Sequence, residues 1–397
     1  MSLAGLLHAS RLFLRVAGRL PAGHLLYLAR RMADEKPHRF AGATRINSFF
    51  PPHPSPAFDR FCDAVVARGR VPYSTYFAVT ARCPCRCSHC SHGGRRRAEL
   101  DTAGALGLVA QIKALGTCTL GLTGGEPLLR ADLEELVTAA GPEMATLLFT
   151  TGHRLDTARA RRLAQAGLGC VTVGLESSDP AIHDATRRVA GSFDQARRAV
   201  EACQEAGLYV ALSTIGTRER LASGELERIR DLAERWSARE LRVLAPVATG
   251  ALAGKPGAML TAAERAALSS FHVRHNRRQG GPAIACSAHL ESAELFGCGA
   301  GYHHLFIDSA GEVCPCDLTP LSFGDAVEEP LAEIWARMER HFPLPRRACL
   351  MQRLAGLIPP DTALPLSRVE SESLCPARSP DEPLPEGFRR LLTSRGR

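Results

Sequence analysis

Hydrophobic positions in the middle of the chain fall into short runs separated by amphipathic stretches. Runs of five to eight apolar or β-branched residues predict strands at 76–80 (YFAVT), 118–122 (CTLGL), 146–150 (TLLFT), 170–175 (CVTVGL), 208–215 (LYVALSTI) and 241–246 (LRVLAP). The stretches 99–115, 130–141, 156–167, 193–206 and 222–238 between them have helical composition and length. Parallel strands need a crossover long enough to hold a helix, so this alternation predicts an α/β fold, a partial (β/α)6 barrel of the TIM type. In such a fold the chemistry belongs at the carboxyl ends of the strands.

The two ends break this pattern. Arg11, Arg15 and Arg19 recur every four residues with Phe13, Val16, Ala17 and Leu20 on the other side; Pro21 interrupts, and Leu25, Leu26 and Leu28 resume before Arg30 and Arg31. No apolar run reaches the roughly 18 residues of a membrane-spanning helix. Two readings stand: cationic amphipathic helices lying on an anionic inner-membrane surface, or helices packed on the body of the protein. Phe49, Phe50, Pro51, Pro52, Pro54 and Pro56 read as an extended lead-in, because proline resists both helix and central strand. After Ala251 the alternation stops. Residues 260–276 and 327–342 look helical, 304–317 reads as strand, Gly311 turn and strand, and the tail from 344 is rich in Pro, Arg and Ser. The predicted units are an extension over 1–72, a barrel over 73–255 and a small cysteine-rich α+β domain with its tail over 256–397.

With 397 residues, 45% of them hydrophobic, the chain can bury a core without disulfides. The formal net charge of +8 suits an anionic ligand, a membrane surface or nucleic acid and selects none of them. The 14 cysteines are unevenly placed. Cys83, Cys85, Cys87 and Cys90 form one knot; Cys286, Cys298, Cys314, Cys316, Cys349 and Cys375 spread over the last third. A long chain without a cleavable secretion signal is expected in the cytoplasm, where clustered cysteines read as metal ligands. Cys62, Cys118, Cys170 and Cys203 read as lone buried thiols.

Cys83, Cys87 and Cys90 have the spacing C-x3-C-x2-C, which lets one loop wrap three corners of a cubic cluster. A zinc site completed by His89 or Cys85 is the alternative. The loop follows the first predicted barrel strand, and Thr123-Gly124-Gly125-Glu126-Pro127 follows the second. Two glycines allow a close backbone approach, and the glutamate can accept a hydrogen bond from an ammonium group. The combination resembles the signature of the radical S-adenosylmethionine superfamily.

That resemblance implies a [4Fe–4S] cluster on Cys83, Cys87 and Cys90, with Cys85 outside the ligand set. S-adenosylmethionine would chelate the open iron, and one electron from an external reductant such as a flavodoxin or ferredoxin would cleave it. The products would be methionine and a 5′-deoxyadenosyl radical that takes a hydrogen atom from substrate. Gly124, Gly125, Glu126 and Pro127 would receive the methionine amino group. Thr150-Thr151-Gly152 stands where the family has Thr-Asn-Gly, and Gly174-Leu175-Glu176 where it has Ser-Leu-Asp at the ribose. Glu176 is then the candidate sugar contact. His183, Asp184 and Arg187 match the family's H-D-x-x-R element; Arg187 either positions the cofactor carboxylate or pairs with Asp184. Ser213 and Thr214 are further candidates for the ribose or carboxylate, and Pro246 to Ala251 resembles a turn near the adenine.

Cys298, Gly311, Cys316, Phe323-Gly324-Asp325 and Leu331 to Trp335 resemble the auxiliary iron–sulfur domain of the SPASM and twitch type. The simplest fit is a single auxiliary [4Fe–4S] cluster on Cys298, Cys316, Cys349 and Cys375, with Cys286 and Cys314 competing for a place. The product is less defined than the mechanism. The arginine-bearing amphipathic extension favours a small, lipid or isoprenoid-like metabolite; the alternative is maturation of a ribosomally made peptide or protein. A non-enzymatic cluster module binding nucleic acid would leave the Gly-Gly-Glu-Pro loop without purpose, and the basic charges are scattered, so no nucleic acid is expected.

Overall fold

A computed structural model describes residues 15–392, except 94, 96, 97, 360, 361 and 380. Arg11 and Phe13 of the predicted amphipathic pattern lie outside the described residues. Two short strands, β1 (His38–Phe40) and β2 (Ala43–Arg45), form an antiparallel pair in the N-terminal segment. The six predicted barrel strands are all present: β3 (Ser74–Thr80), β4 (Thr119–Gly124), β5 (Ala145–Thr150), β6 (Cys170–Gly174), β7 (Tyr209–Ile215) and β8 (Glu240–Leu244). They pair in sequence order, all parallel.

Strands from beyond residue 255 extend the sheet at both edges. β9 (Ala283–Cys286) pairs parallel to β8, and β10 (His304–Ile307) pairs parallel to β3, with β11 (Val313–Cys314) antiparallel outside it. The order is β11-β10-β3-β4-β5-β6-β7-β8-β9. Parallel strands covered on both sides are apolar along their whole length, which is why they read as continuous hydrophobic runs; Phe77, Leu120, Leu148, Val171, Leu212 and Leu241 are buried accordingly.

The crossover helices start where a side chain can cap them. Asp101 Oδ1 accepts from Gly104 N at 2.8 Å to begin Thr102–Ala114, and Asp156 Oδ1 accepts from Arg159 N at 2.7 Å to begin Thr157–Gln165. Each such cap contributes about 1 kcal/mol. Thr261 and Glu264 form a reciprocal capping box on Ala262–Asn276.

The N-terminal segment packs on the body. Val16 and Leu20 are buried with Phe58 and Cys62 of the helix Pro56–Ala67 and with Tyr302 and Phe388. Arg15 donates to Asp59 and Arg19 to Asp63, both at 2.9 Å. This stretch takes the packing alternative, while Leu26 on the helix Ala22–Arg31 stays exposed. No helix among the described residues is long and apolar enough to cross a membrane. Cys62, Cys118, Cys170 and Cys203 are buried free thiols, as expected.

Candidate cluster and cofactor site

The loop after β3 and the loop after β4 are stitched together at the backbone. Gly125 N donates to the Thr80 carbonyl at 2.8 Å and Glu126 N to the Arg82 carbonyl at 2.7 Å. A Cβ on Gly124 would stand 2.2 Å from Thr80 O, and one on Gly125 2.1 Å from Arg82 O, so neither position admits a side chain. The two glycines thereby set where the cysteine loop leaves the barrel.

Glu126 is fully buried and oriented. Its Oε1 accepts from Thr150 Oγ1 at 2.7 Å, and its Oε2 from Thr151 N at 2.7 Å and Thr151 Oγ1 at 2.5 Å. The Thr-Thr pair thus aims the carboxylate. Leu128 N also donates to Oε1 at 3.1 Å, so the roughly four acceptor positions of the carboxylate are taken within the chain, and a ligand ammonium group would have to share them.

Within the loop, Cys83, Cys87 and Cys90 converge with Cys85, which the sequence placed outside the ligand set. Cys85 is hydrogen-bonded to both Cys83 and Cys87, and these bonds, followed by the Arg187 charge, pull its thiol far below the ordinary value. The same bonds, together with burial, push Cys83 and Cys87 up. Arg187 Nη1 reaches Cys87 Sγ at 4.0 Å. Four thiols beside a buried guanidinium form a donor set suited to thiolate ligation of an iron–sulfur cluster.

Glu176, 4% exposed, organises the turn after β6. It pairs with Arg187 at 3.0 Å, Arg220 at 3.2 Å and His89 at 3.3 Å. Burial raises its pKa, but the His89 hydrogen bond and the Arg187 charge outweigh it and hold the carboxyl far below the usual range. Asp184 is occupied elsewhere, accepting from Gly191 N, Ser192 Oγ and Phe193 N at 2.6, 2.8 and 2.8 Å, so Arg187 pairs with Glu176 rather than Asp184. A Cβ on Gly174 would fall 2.3 Å from Arg187 Nη2, so the guanidinium occupies the space that a side chain at this position would need. Thr214 is buried and accepts from Arg220 Nη1 at 3.0 Å, while Ser213, on the same strand, is half-buried. His89, Arg220 and Cys85 belong to this network; the sequence offered His89 and Cys85 only as alternative zinc ligands and gave no signal for Arg220. Ala251 N donates to the Cys90 carbonyl at 2.9 Å, closing the Pro246–Ala251 turn on the cysteine loop.

The second cysteine group lies past β10. Cys298 and Cys349 share a thiol hydrogen bond, the Cys298 charge bears on Cys316, and the Cys316 charge bears on Cys349. Those three thiols line one cavity and Cys375 does not; Cys375 is buried, with the Arg346 charge acting on it. The structure therefore brings together Cys298, Cys316 and Cys349 but not Cys375. The spacing of the tail gave no means of seeing this, because Arg346 anchors it by donating to the Pro376 and His341 carbonyls at 2.6 and 3.1 Å. His304 and Asp317 stand beside Cys316 with ligating atoms within 4.8 Å of one another. Cys314 is buried on β11 against Arg95, and Cys286 is buried on β9; neither lines the cavity that the trio lines.

A cavity of about 510 Å³ extends from the edge of the first cysteine loop to the second cysteine group. Ser91 and Thr123 line it at the first, and Cys298, Cys316 and Cys349 at the second. Its wall is mainly apolar, with Phe49, Phe149 and Phe296 among the lining residues, and the N-terminal segment contributes from Val16 to Val65.

Residues 77–233 match the sequence model of the radical SAM superfamily, and residues 298–347 match that of the SPASM iron–sulfur cluster-binding domain. The chain is 32% identical over 280 residues to PqqA peptide cyclase of Streptomyces rochei, covering 66% of this chain and 75% of that protein. It is 27% identical over 290 residues to AdoMet-dependent heme synthase of Nitratidesulfovibrio vulgaris, covering 66% and 78%. Among solved structures, SuiB of Streptococcus suis bound to precursor peptide SuiA superposes with a TM-score of 0.57 at 17% identity, covering 70% of this chain and 69% of that one. Native anSMEcpe with bound AdoMet gives 0.54 at 15% identity, covering 81% and 98%. At these identities the two structures speak for the fold. The superfamily domain takes a [4Fe–4S] cluster and S-adenosylmethionine, and the second domain an auxiliary iron–sulfur cluster. The chain belongs to the radical S-adenosylmethionine superfamily and carries a SPASM-type auxiliary domain.

Proposed function

We propose that this radical S-adenosylmethionine enzyme matures a peptide or protein, taking a hydrogen atom from an apolar side chain held in the cavity. The observation that carries the reading is the cavity itself, which runs from Ser91 and Thr123 beside the first cysteine group to Cys298, Cys316 and Cys349 at the second. A substrate seated there touches both ends of a redox path, and its apolar wall suits an aliphatic or aromatic side chain. The 32% identical relative is a peptide cyclase.

When bound, the first cluster and its cofactor supply a 5′-deoxyadenosyl radical. The chain's own residues would do the positioning: Cys83, Cys87 and Cys90 would hold the cluster, Gly124 to Pro127 would receive the methionine amino group, and Glu176, Ser213 and Thr214 would serve the ribose. Arg187 sets the charge beside Cys87 and orients Glu176. Burial of the cavity excludes water from a reactive intermediate. Cys298, Cys316 and Cys349 hold the auxiliary cluster, and an external one-electron donor completes the system.

A small apolar metabolite is the second reading, favoured by the way the N-terminal segment roofs the cavity. Anaerobic reconstituted protein, given dithionite and S-adenosylmethionine, distinguishes them when incubated with peptide and lipid extracts of cells grown in heavy water. Deuterium entering 5′-deoxyadenosine from the peptide fraction supports maturation; deuterium from the lipid fraction supports the second reading. No deoxyadenosine from protein with verified iron and sulfide overturns both.

A further inference from the structure

Arg242 is a cation inside the barrel without a carboxylate of its own. It lies on β8, 3% exposed, and lines the cavity. Its Nη2 donates to the Tyr76 hydroxyl at 2.6 Å and its Nη1 reaches Ser48 Oγ only at 3.4 Å, while the buried Nε has no partner. The guanidinium lies over the Phe49 ring at 3.7 Å. Among the described residues it makes no ion pair within 4.0 Å, unlike Arg187 and Arg220, which share Glu176.

The charges of Glu240 and Asp317 act on Arg242, but their oxygens hydrogen-bond to other groups. Glu240 accepts from Ser48 N, Ser48 Oγ and Tyr209 OH at 2.8, 2.5 and 3.2 Å. Asp317 accepts from Cys316 Sγ at 3.4 Å and lies 3.2 Å from His304 Nε2. A desolvated charge without a matched partner is costly to a fold, and a guanidinium is a fork of donors shaped for a carboxylate.

We propose that Arg242 binds a carboxylate of the substrate, so that the enzyme acts on an apolar body that ends in an acid; this rests on the reading that the cavity is the substrate site. The chemistry favours a monoanion. Arg242 offers a single fork of donors, and Asp317 lines the same cavity, so a dianionic phosphate would meet more repulsion there than a carboxylate. Position gives the anchor its function. Strands rise about 3.3 Å per residue, which sets Arg242 about 7 Å below the carboxyl end of β8 at Leu244. Leu244, Ala245 and Val247 continue the wall upward to the turn that closes on Cys90. The acid is held deep, and the carbon presented at the barrel mouth is fixed by its distance from that acid.

The test is calorimetric titration of the iron-loaded protein with two matched pairs: dodecanoate and its methyl ester, and a capped Leu-Leu-Glu-Leu-Leu peptide and its Gln analogue. In one pair the acid binds at least about tenfold more tightly than its uncharged partner. Arg242→Gln brings that acid down to the level of the uncharged partner and leaves the partner's affinity unchanged, and Arg242→Lys retains part of the preference. The pair that responds names the source, a free carboxylic acid or an acidic side chain. Equal binding of acid and uncharged partner in both pairs, or no binding in either, overturns the proposal without recourse to any variant. An equal loss for both partners in Arg242→Gln would show a structural role and overturn it too. Deoxyadenosine formation by the same wild-type sample reports on the radical chemistry separately, so failure of the anchor and failure of the enzyme reading are distinguishable.

Discussion

Glu176 Oε1 lies 3.0 Å from Arg187 Nη2, and the same guanidinium reaches Cys87 Sγ at 4.0 Å. The carboxylate at the end of β6 is thus coupled to the cysteine loop through one side chain. Glu176→Gln keeps the shape but leaves Arg187 and Arg220 without a counter-charge. Removing one partner of a buried ion network costs about 3–5 kcal/mol. Urea unfolding of the iron-loaded variant should show that loss as a lowered midpoint, and an unchanged midpoint would mean that the two arginines are neutralised elsewhere.

The two cysteine groups should separate by metal analysis. Cys87→Ala loses the iron of the first site and all deoxyadenosine formation. Cys316→Ala keeps the first cluster and loses auxiliary iron. Cys375→Ser keeps both, because its thiol is not among those that line the cavity with Cys298, Cys316 and Cys349. Iron and sulfide counts on the three reconstituted proteins check the assignment, and loss of auxiliary iron in Cys375→Ser would return that residue to the ligand set.

Gly125→Ala tests the backbone stitch. Its Cβ would meet Arg82 O at 2.1 Å, so the cysteine loop and the Glu126 loop must part. A displacement of about 1 Å at a reacting centre costs about 100-fold in rate. Deoxyadenosine formation should fall by that order while the far-ultraviolet circular dichroism spectrum is kept.

His24 makes stability depend on pH. Burial, followed by the charges of Arg68 and Arg390, lowers its pKa from 6.5 to about 4. Between those values the unfolded chain binds the proton and the folded chain does not, so stability falls as pH drops through this window. From pH 6.5 to 5.5 this one group contributes a loss of at most about 1.4 kcal/mol. The urea midpoint of His24→Leu should change less over that step than the wild-type midpoint; equal slopes would place the proton linkage on other groups.

Much of the barrel was legible because a strand buried on both faces writes itself as an apolar run, and all six such runs became β3 to β8. β9 was missed: Ala-Ile-Ala-Cys is four residues long and half alanine, too short and too weak in β-propensity to stand out. The hairpin at β10 and β11 was visible, but its parallel pairing with β3 joins His304 to Ser74, and no local pattern encodes a contact across so much chain. The site divides in the same way. Cys83, Cys87, Cys90 and Gly124 to Pro127 are consecutive or regularly spaced, so the sequence displays them. Arg220, His89 and Arg242 act through positions created by folding. Cys375 had the right residue type, and only the path of the tail past Arg346 decides where its thiol goes.

The ladder between β3 and β10 has a mechanical consequence. The cysteine loop at 83–90 springs from one of these strands, and the segments carrying Cys298 and Cys316 flank the other. Backbone hydrogen bonds run between them in register, so the auxiliary domain cannot swing away from the barrel as a rigid lid without tearing the sheet. The spacing of the two redox centres is therefore locked, and admission of substrate falls to the N-terminal segment, which among the described residues shares no strand pairing with the barrel and is tied to it through contacts such as Arg277–Asp34, Arg45–Gly169 and Ser48–Glu240.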